Sequence, residues 1–324
     1  MTAKSNSDTL VTVYGGSGFL GRHLVRALAK RDYRIRVAVR RPELAFHLQP
    51  LGRVGQIHAV QANIRDARSV EAAARDASVL INLVGIMQEG GRQRFNAVHA
   101  FGAEQVALAA NAHGARMVHV SAIGADENSE VGYARSKGEA ERLVLAAQPR
   151  AVIMRPSIMF GPEDDFFNRF ATMARISPIL PLIGGGATRF QPVFVGDVAM
   201  AIADAVDGRL QGGATYELGG PSVKSFKELM QFILATIERK RLLVPLPFFA
   251  AHIKAMFLQF APSPFTLTPG QVDLLRVDNV VSEKAVAEKR TLPGIGIVPE
   301  PIEAIVPSYL WRFRKTGQFK SRSA

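Results

Sequence analysis

Val11-Thr12-Val13-Tyr14-Gly15-Gly16-Ser17-Gly18-Phe19-Leu20-Gly21-Arg22 decides how this chain is read. A β-branched apolar run enters a turn of glycines, and an amphipathic stretch carrying Leu20, Leu24, Val25 and Leu28 leaves it. That order predicts strand, loop, helix. Gly15, Gly18 and Gly21 stand three apart, and each has a physical job. The first permits a sharp turn, the second lets backbone approach a pyrophosphate, and the third lets the helix pack closely on its strand. The helix start, at Ser17, Phe19 and Leu20, then offers free N–H groups and a positive dipole end to an anion. Spaced glycines alone are a weak signal; the strand before and the helix after make this a nucleotide-binding loop.

Outward from that stretch the same beat repeats. Residues 34–39, 56–61, 78–84, 117–121 and 151–154 read as further strands. Helical segments fall between them, at 20–30, 43–51, 69–75, 97–112 and 133–147. Short apolar strands joined by helical crossovers predict an α/β fold, a doubly wound parallel Rossmann sheet over residues 1–155. From Arg155 the rhythm changes, and residues 156–324 read as a smaller substrate-side lobe interleaved with the last strands. Gly184-Gly185-Gly186 is a turn before an apolar run at 190–195, and Asp197 stands where the N-cap of a helix ending near Gly208 belongs. Ser225 and Glu228 match a capping box.

The chain has 324 residues, 48% of them hydrophobic, enough for a large core in one extended domain or two intimate ones. It has no Cys, which excludes disulfides, a thiolate metal site and a thiol nucleophile, and no metal site is expected. The polar opening, residues 1–8, lacks the apolar region of a secretory signal. A net charge of +12 points to an anionic partner: nucleic acid, an anionic membrane face or an acidic protein surface. Residues 242–265 are very apolar but carry Pro245, Pro247, Pro262 and Pro264. The uninterrupted part, 248–261, contains His252, Lys254 and Gln259 and is too short and polar to span a bilayer. It reads equally as an amphipathic helix lying on a membrane or in a protein groove, or as a buried helix of the smaller lobe. A basic tail follows, with Trp311-Arg312-Phe313-Arg314-Lys315, Lys320 and Arg322 (residues 312–324).

An NAD site places Asp or Glu about 20 residues past the glycines, to accept from the ribose 2′-OH. Here that place reads Val37-Ala38-Val39-Arg40-Arg41-Pro42, and the nearest acid, Glu43, comes after the proline. A guanidinium grips a 2′-phosphate bidentately where a carboxylate would repel it. Arg40 and Arg41, assisted by Arg22, therefore predict NADP(H) in preference to NAD(H); the alternative is that they merely face water. Asn63 stands where an adenine-edge contact is expected, and Asp66 reads as a helix N-cap. Ile64, Val84 and Arg155-Pro156, each at a strand's carboxyl side, complete the cofactor-binding set.

Tyr133-Ala134-Arg135-Ser136-Lys137 puts a phenol and an ammonium on one helix face, and Ser121 closes the fifth strand at the edge where ligands bind. A Tyr beside a cation loses its proton more readily, so Tyr133 is the candidate general acid or base toward a carbonyl or alcohol. Lys137 is expected to lower the phenol pKa and bond the nicotinamide ribose, with Ser121 holding the substrate oxygen. The spacing alone is weak evidence; its place after Ser121 raises it.

Together the glycine loop, the Ser121/Tyr133/Lys137 set and Arg155-Pro156 resemble the extended short-chain dehydrogenase/reductase superfamily. More narrowly, RPSIMFGPEDDFFNRF (155–170) and FQPVFVGDVAMAI (190–202) resemble the nucleotide-binding accessory subunit of respiratory complex I, over nearly the whole chain. The resemblance implies tight NADPH binding, a role in assembly or stability rather than electron transfer, and a place near the junction of the peripheral and membrane arms. It also implies a peripheral protein on the cytoplasmic side of a bacterial inner membrane, with complex I subunits as partners and an anionic membrane surface as a further contact. Where related enzymes have Val-Asn before a Gly-Thr helix, this chain has Val98-His99 and Gly102-Ala103, which weakens the proton relay of a working reductase. The competing reading is an active NADP-dependent reductase, dehydrogenase or sugar-nucleotide epimerase using Tyr133, Lys137 and Ser121. A third, an RNA-binding relative, rests on charge alone; no RNA motif is legible, and nucleic acid is not an expected partner.

Overall fold

The computed structural model describes residues 6–262 and 264–317, so Lys320 and Arg322 of the basic tail lie outside the described residues. The chain forms two compact units. The first takes Met1–Pro156, Val195–Leu218 and Glu283–Ile297; the second takes Ser157–Phe194, Gly219–Ser282 and Val298–Ala324. A single cut after residue 155 therefore omits two segments that return to the first unit.

Up to Pro156 the first unit runs β1 (Leu10–Tyr14), α1 (Phe19–Lys30), β2 (Arg34–Val39), β3 (Ile57–Gln61), α2 (Ala67–Ala74), β4 (Val79–Asn82), α3 (Phe101–Ala112), β5 (Arg116–Val120), α4 (Gly132–Ala147) and β6 (Val152–Pro156). The chain continues through β7 (Met159–Phe160), α5 (Phe166–Ile176), β8 (Ile179–Ile183), β9 (Arg189–Phe190) and β10 (Val193–Phe194), all in the second unit. It returns with α6 (Val195–Val206) and β11 (Thr215–Leu218), a seventh strand that the sequence did not announce. The sheet is parallel throughout, ordered β11-β6-β5-β4-β1-β2-β3, and its direction of winding reverses between β1 and β4. Ligands of such sheets sit at the carboxyl ends beside that reversal.

The period-two alternation of β1 sets both faces. Val11 and Val13 are fully buried on one, as are Leu24, Val25 and Leu28 of α1 and Val198, Ala201 and Ile202 of α6. Burying each such aliphatic chain stabilises by about 1.5–3 kcal/mol. Arg31, just past α1, pairs with Asp204 at 2.9 Å and Asp207 at 2.8 Å, which fixes α6 beside α1. On the other face Thr12 and Tyr14 donate to the Ala73 and Val70 carbonyls of α2, at 3.0 and 2.7 Å. There Tyr14, Leu80, Met117 and Ile153 pack with Val106 and Ala107 of α3 and Ala140 and Val144 of α4.

The helical segment read at 43–51 is present as a 3-10 helix over Pro42–Leu51. One expectation is corrected. Asp197 is not the N-cap of α6 but its third residue, since the helix begins directly where β10 ends; an acid in the first turn still suits the helix dipole.

The second unit adds β12 (Lys224–Ser225), α7 (Phe226–Thr236), β13 (Leu242–Leu246), α8 (Phe248–Leu258) and α9 (Pro269–Leu274). After α10 (Glu283–Ala287) of the first unit come α11 (Ile302–Ile305) and α12 (Pro307–Leu310). Its three small sheets pair β10 with β7, β12 with β9 and β13 with β8. An aromatic core of Phe160, Phe167, Phe190 and Phe226 packs with Leu229, Ile233, Tyr309 and Leu310. The Ser225/Glu228 capping box opens α7 as read from the sequence. α8 buries only Ala251 and Ala255. Phe249, Ile253, Met256 and Phe257, with Phe260 just beyond, are each more than half exposed.

Candidate nucleotide-binding site

β1 delivers the chain to the carboxyl edge, and Gly15 turns it at φ +80°, a conformation that side chains disfavour. At Gly21 a Cβ would lie 2.4 Å from the carbonyl carbon and oxygen of Gly16, so only glycine lets α1 close on the loop. Gly18, exposed and extended, precedes α1 as its N-cap, and no side chain caps the first-turn N–H groups of Phe19, Leu20 and Gly21. Ser17 and Phe19 are half-buried in this turn, and Leu20 belongs to the core. At the end of β2, Arg40 and Arg41 are exposed, and neither guanidinium has a hydrogen-bond or ion-pair partner among the described residues. An uncapped helix start behind a glycine turn fits the pyrophosphate of a dinucleotide.

The other sequence-predicted contacts divide. Asn63 Oδ1 accepts from Arg65 N–H at 3.2 Å, so this side chain already closes its own loop, and Asp66 caps α2 by accepting from Arg68 N–H at 3.1 Å. Ile64 is a core residue: a Cβ at Gly102 of α3 would lie 2.8 Å from its Cγ1. Val84 does border the loop, its Cγ2 3.1 Å from where a Gly15 Cβ would stand. Arg155 is engaged elsewhere, donating from Nε and Nη2 to Glu141 at 2.8 and 2.6 Å and pairing with Glu217 at 3.7 Å. Pro156 accepts from Ile123 N–H through its carbonyl, at 3.1 Å.

Ser121 is buried, and its Oγ has no hydrogen-bond partner among the described residues. Tyr133 stands edge-on to Phe95 and His99, ring centroids 6.0 and 5.6 Å away, and Phe95 stacks on His99 at 5.3 Å. Burial pushes the phenol up to about 12, against the lowering expected from Lys137. The reason lies in where the ammonium goes. Lys137 Nζ donates to the Val120 carbonyl at 3.2 Å and sits 3.3 Å from where a Gly85 Cβ would be; burial lowers its own pKa to about 8. His99, buried, accepts from Ile86 N–H at Nε2 (3.0 Å), so its Nδ1–H donates to Ser136 Oγ (2.9 Å). Burial and then the charge of Lys137 push its pKa down to about 3, and the ring is neutral.

Sequence reasoning missed Asn82 and His119, which meet at 3.2 Å beneath this edge. Asn82 ends the apolar run of β4 and His119 interrupts that of β5, and that break in the pattern was the available signal.

Residues 11–219 match the NAD dependent epimerase/dehydratase family. The chain is 37% identical to the Arabidopsis thaliana mitochondrial NADH dehydrogenase [ubiquinone] 1 alpha subcomplex subunit 9, over 97% of this chain and 80% of that one. It is also 37% identical to a ceramide reductase of Caulobacter vibrioides, but over 59% of this chain and 58% of that one. In fold it is similar to the Escherichia coli NADPH-dependent quinone oxidoreductase QOR2 solved with NADPH, with TM-score 0.72, 19% identity, and 93% and 99% of the two chains covered. With a glycine loop and sheet of this kind and a likeness running its whole length, the chain belongs to the NAD dependent epimerase/dehydratase family, in the branch of the complex I subunit 9 proteins.

Proposed function

We propose that this chain is a NADP(H)-holding accessory subunit of respiratory complex I, peripheral at the cytoplasmic face of a bacterial inner membrane, and that it keeps its nucleotide without turning over a substrate. The observation that carries this is the likeness to subunit 9 along nearly the entire chain, second unit included. The Gly15–Gly21 loop would hold the pyrophosphate, Arg40 and Arg41 the 2′-phosphate, and Lys137 with Tyr133 the nicotinamide ribose. When bound, the nucleotide supplies a hydride donor at its nicotinamide ring.

The chain's own proton chemistry supports holding over turnover. A phenol at about 12 stays protonated at neutral pH, which disfavours it as a general base for alcohol oxidation while leaving it a proton donor. Both nitrogens of His99 are engaged, by Ile86 N–H and Ser136 Oγ, so this ring cannot pass a proton from Lys137 toward solvent. Among the described residues no helix is long and apolar enough to cross a membrane, and the exposed aromatic side chains of α8 supply an apolar contact for lateral attachment.

The test is to purify the protein through gel filtration, denature it, and quantify released nucleotide while assaying NADPH oxidation with carbonyl substrates. Near-stoichiometric NADP(H) without substrate-dependent oxidation is expected. Sustained oxidation abolished by Tyr133→Phe would overturn the proposal. That outcome would favour the second reading, an active reductase or epimerase, which the buried Ser121 Oγ, without a hydrogen-bond partner among the described residues, supports.

A further inference from the structure

Lys137 is a buried ammonium with three N–H groups, and its one hydrogen-bond partner among the described residues is the Val120 carbonyl. Glu141, one turn further along α4, has its carboxylate gripped by Arg155. Two polar groups on β5 are left in a similar condition. Met117, His119 and Ser121 alternate onto the face covered by α3 and α4, where Met117 packs with Ala107, Ala140 and Val144. The tautomer of His119 follows from its neighbours. Asn82 Oδ1 accepts from Val84 N–H at 3.0 Å, so Asn82 presents its Nδ2 donor to His119 Nδ1 at 3.2 Å. The ring proton is therefore on Nε2. That N–H is buried without a partner among the described residues, as is Ser121 Oγ, in residues only 1% and 4% exposed.

Buried polar groups in proteins are almost always paired, and where side chains do not pair them an internal water with two to four partners does. His119 and Ser121, on one face at the end of β5, together with Lys137 of α4, supply two donors and a hydroxyl for such a set. We propose that an internal water accepts from His119 Nε2 and Lys137 Nζ and donates to Ser121 Oγ, and that His119 is the positioning residue that holds it there. The ammonium is thereby kept charged for the nucleotide ribose, so the proposal rests on the nucleotide-holding reading. The groups facing Lys137 are His119 and the Val120 carbonyl of β5, His99 from the turn before α3, the backbone at Gly85 after β4, and Tyr133 and Glu141 of its own helix, with Arg155 of β6 behind Glu141.

Two measurements test this. The first is NADPH titration from neutral to alkaline pH for the wild type, His119→Leu and His119→Gln. Affinity falls as Lys137 loses its proton; in His119→Leu that fall should move to lower pH by on the order of one unit, and the amide of His119→Gln should restore it. The second is the ring resonance of His119 in nucleotide-free wild type, expected as a protected Nε2–H in magnetic contact with a slowly exchanging water. An unshifted fall in a natively stable His119→Leu would overturn the proposal. So would a protected Nε2–H seen only after NADPH is added, which assigns the bond to the nucleotide instead. If the wild type takes up no NADPH, the nucleotide-holding reading fails, and the ring–water contact alone decides whether the water exists.

Discussion

Arg40 and Arg41 are the proposed determinants of nucleotide choice, because no acid or carbonyl among the described residues claims their guanidinium groups. Isothermal titration should find NADPH bound more tightly than NADH. Arg40→Ala and Arg41→Ala should each weaken NADPH by about 1.5–3 kcal/mol, roughly 10- to 150-fold, and leave NADH unchanged. Lys137 and Tyr133 should separate in the same assay. Tyr133→Phe removes a hydroxyl that makes no hydrogen bond among the described residues and should retain bound NADPH, whereas Lys137→Ala removes the buried charge proposed to meet the ribose and should lose it. These residues were legible in the sequence because each sits in a local pattern, a glycine spacing, a strand end or a helical i,i+4 pair. Asn82 and His119 were not, since their meaning depends on β4 and β5 pairing in register, which joins residues 37 apart. The engagement of Arg155 by Glu141 was hidden for the same reason, being a contact between a helix and the next strand.

The elements of the first unit were legible wherever apolar period and turn chemistry agreed, as in β2, whose bounds match the reading residue for residue. The reading failed at β11, a short strand that pairs with β6 from far along the chain. In the second unit, Asp164 ties the start of α5 to the C-terminal helices. It accepts from Phe167 N–H at 2.6 Å and from the Tyr309 hydroxyl. Desolvation raises its pKa from 3.8 to about 6, with the hydrogen bonds opposing. The folded state thus holds this proton more tightly than the unfolded chain. Its contribution to stability is full below the unfolded pKa and is lost as pH rises through the folded value, about 3 kcal/mol in all. Urea unfolding should accordingly show a component of stability that declines between about pH 4 and pH 6 and is absent in Asp164→Asn. A wild-type component rising over that window would contradict the assignment.

At the scale of the molecule, the whole-length likeness to subunit 9 and the apolar face of α8 support the same role, an attached subunit. Phe249 and Phe257 are 70% and 74% exposed, so replacing both with Ser should change folding stability by no more than about 0.5 kcal/mol each while reducing retention on membranes. Attraction of basic residues to anionic lipid contributes about 1 kcal/mol per Lys or Arg and fades beyond a Debye length, so an attachment made by charge alone is stripped by salt. An apolar or protein-mediated contact is not. The most direct test is membrane fractionation with and without high salt, in strains with and without an assembled complex I. Salt-resistant retention that disappears when the complex is missing is the predicted result. Protein that stays fully soluble at low salt in both strains would contradict the account.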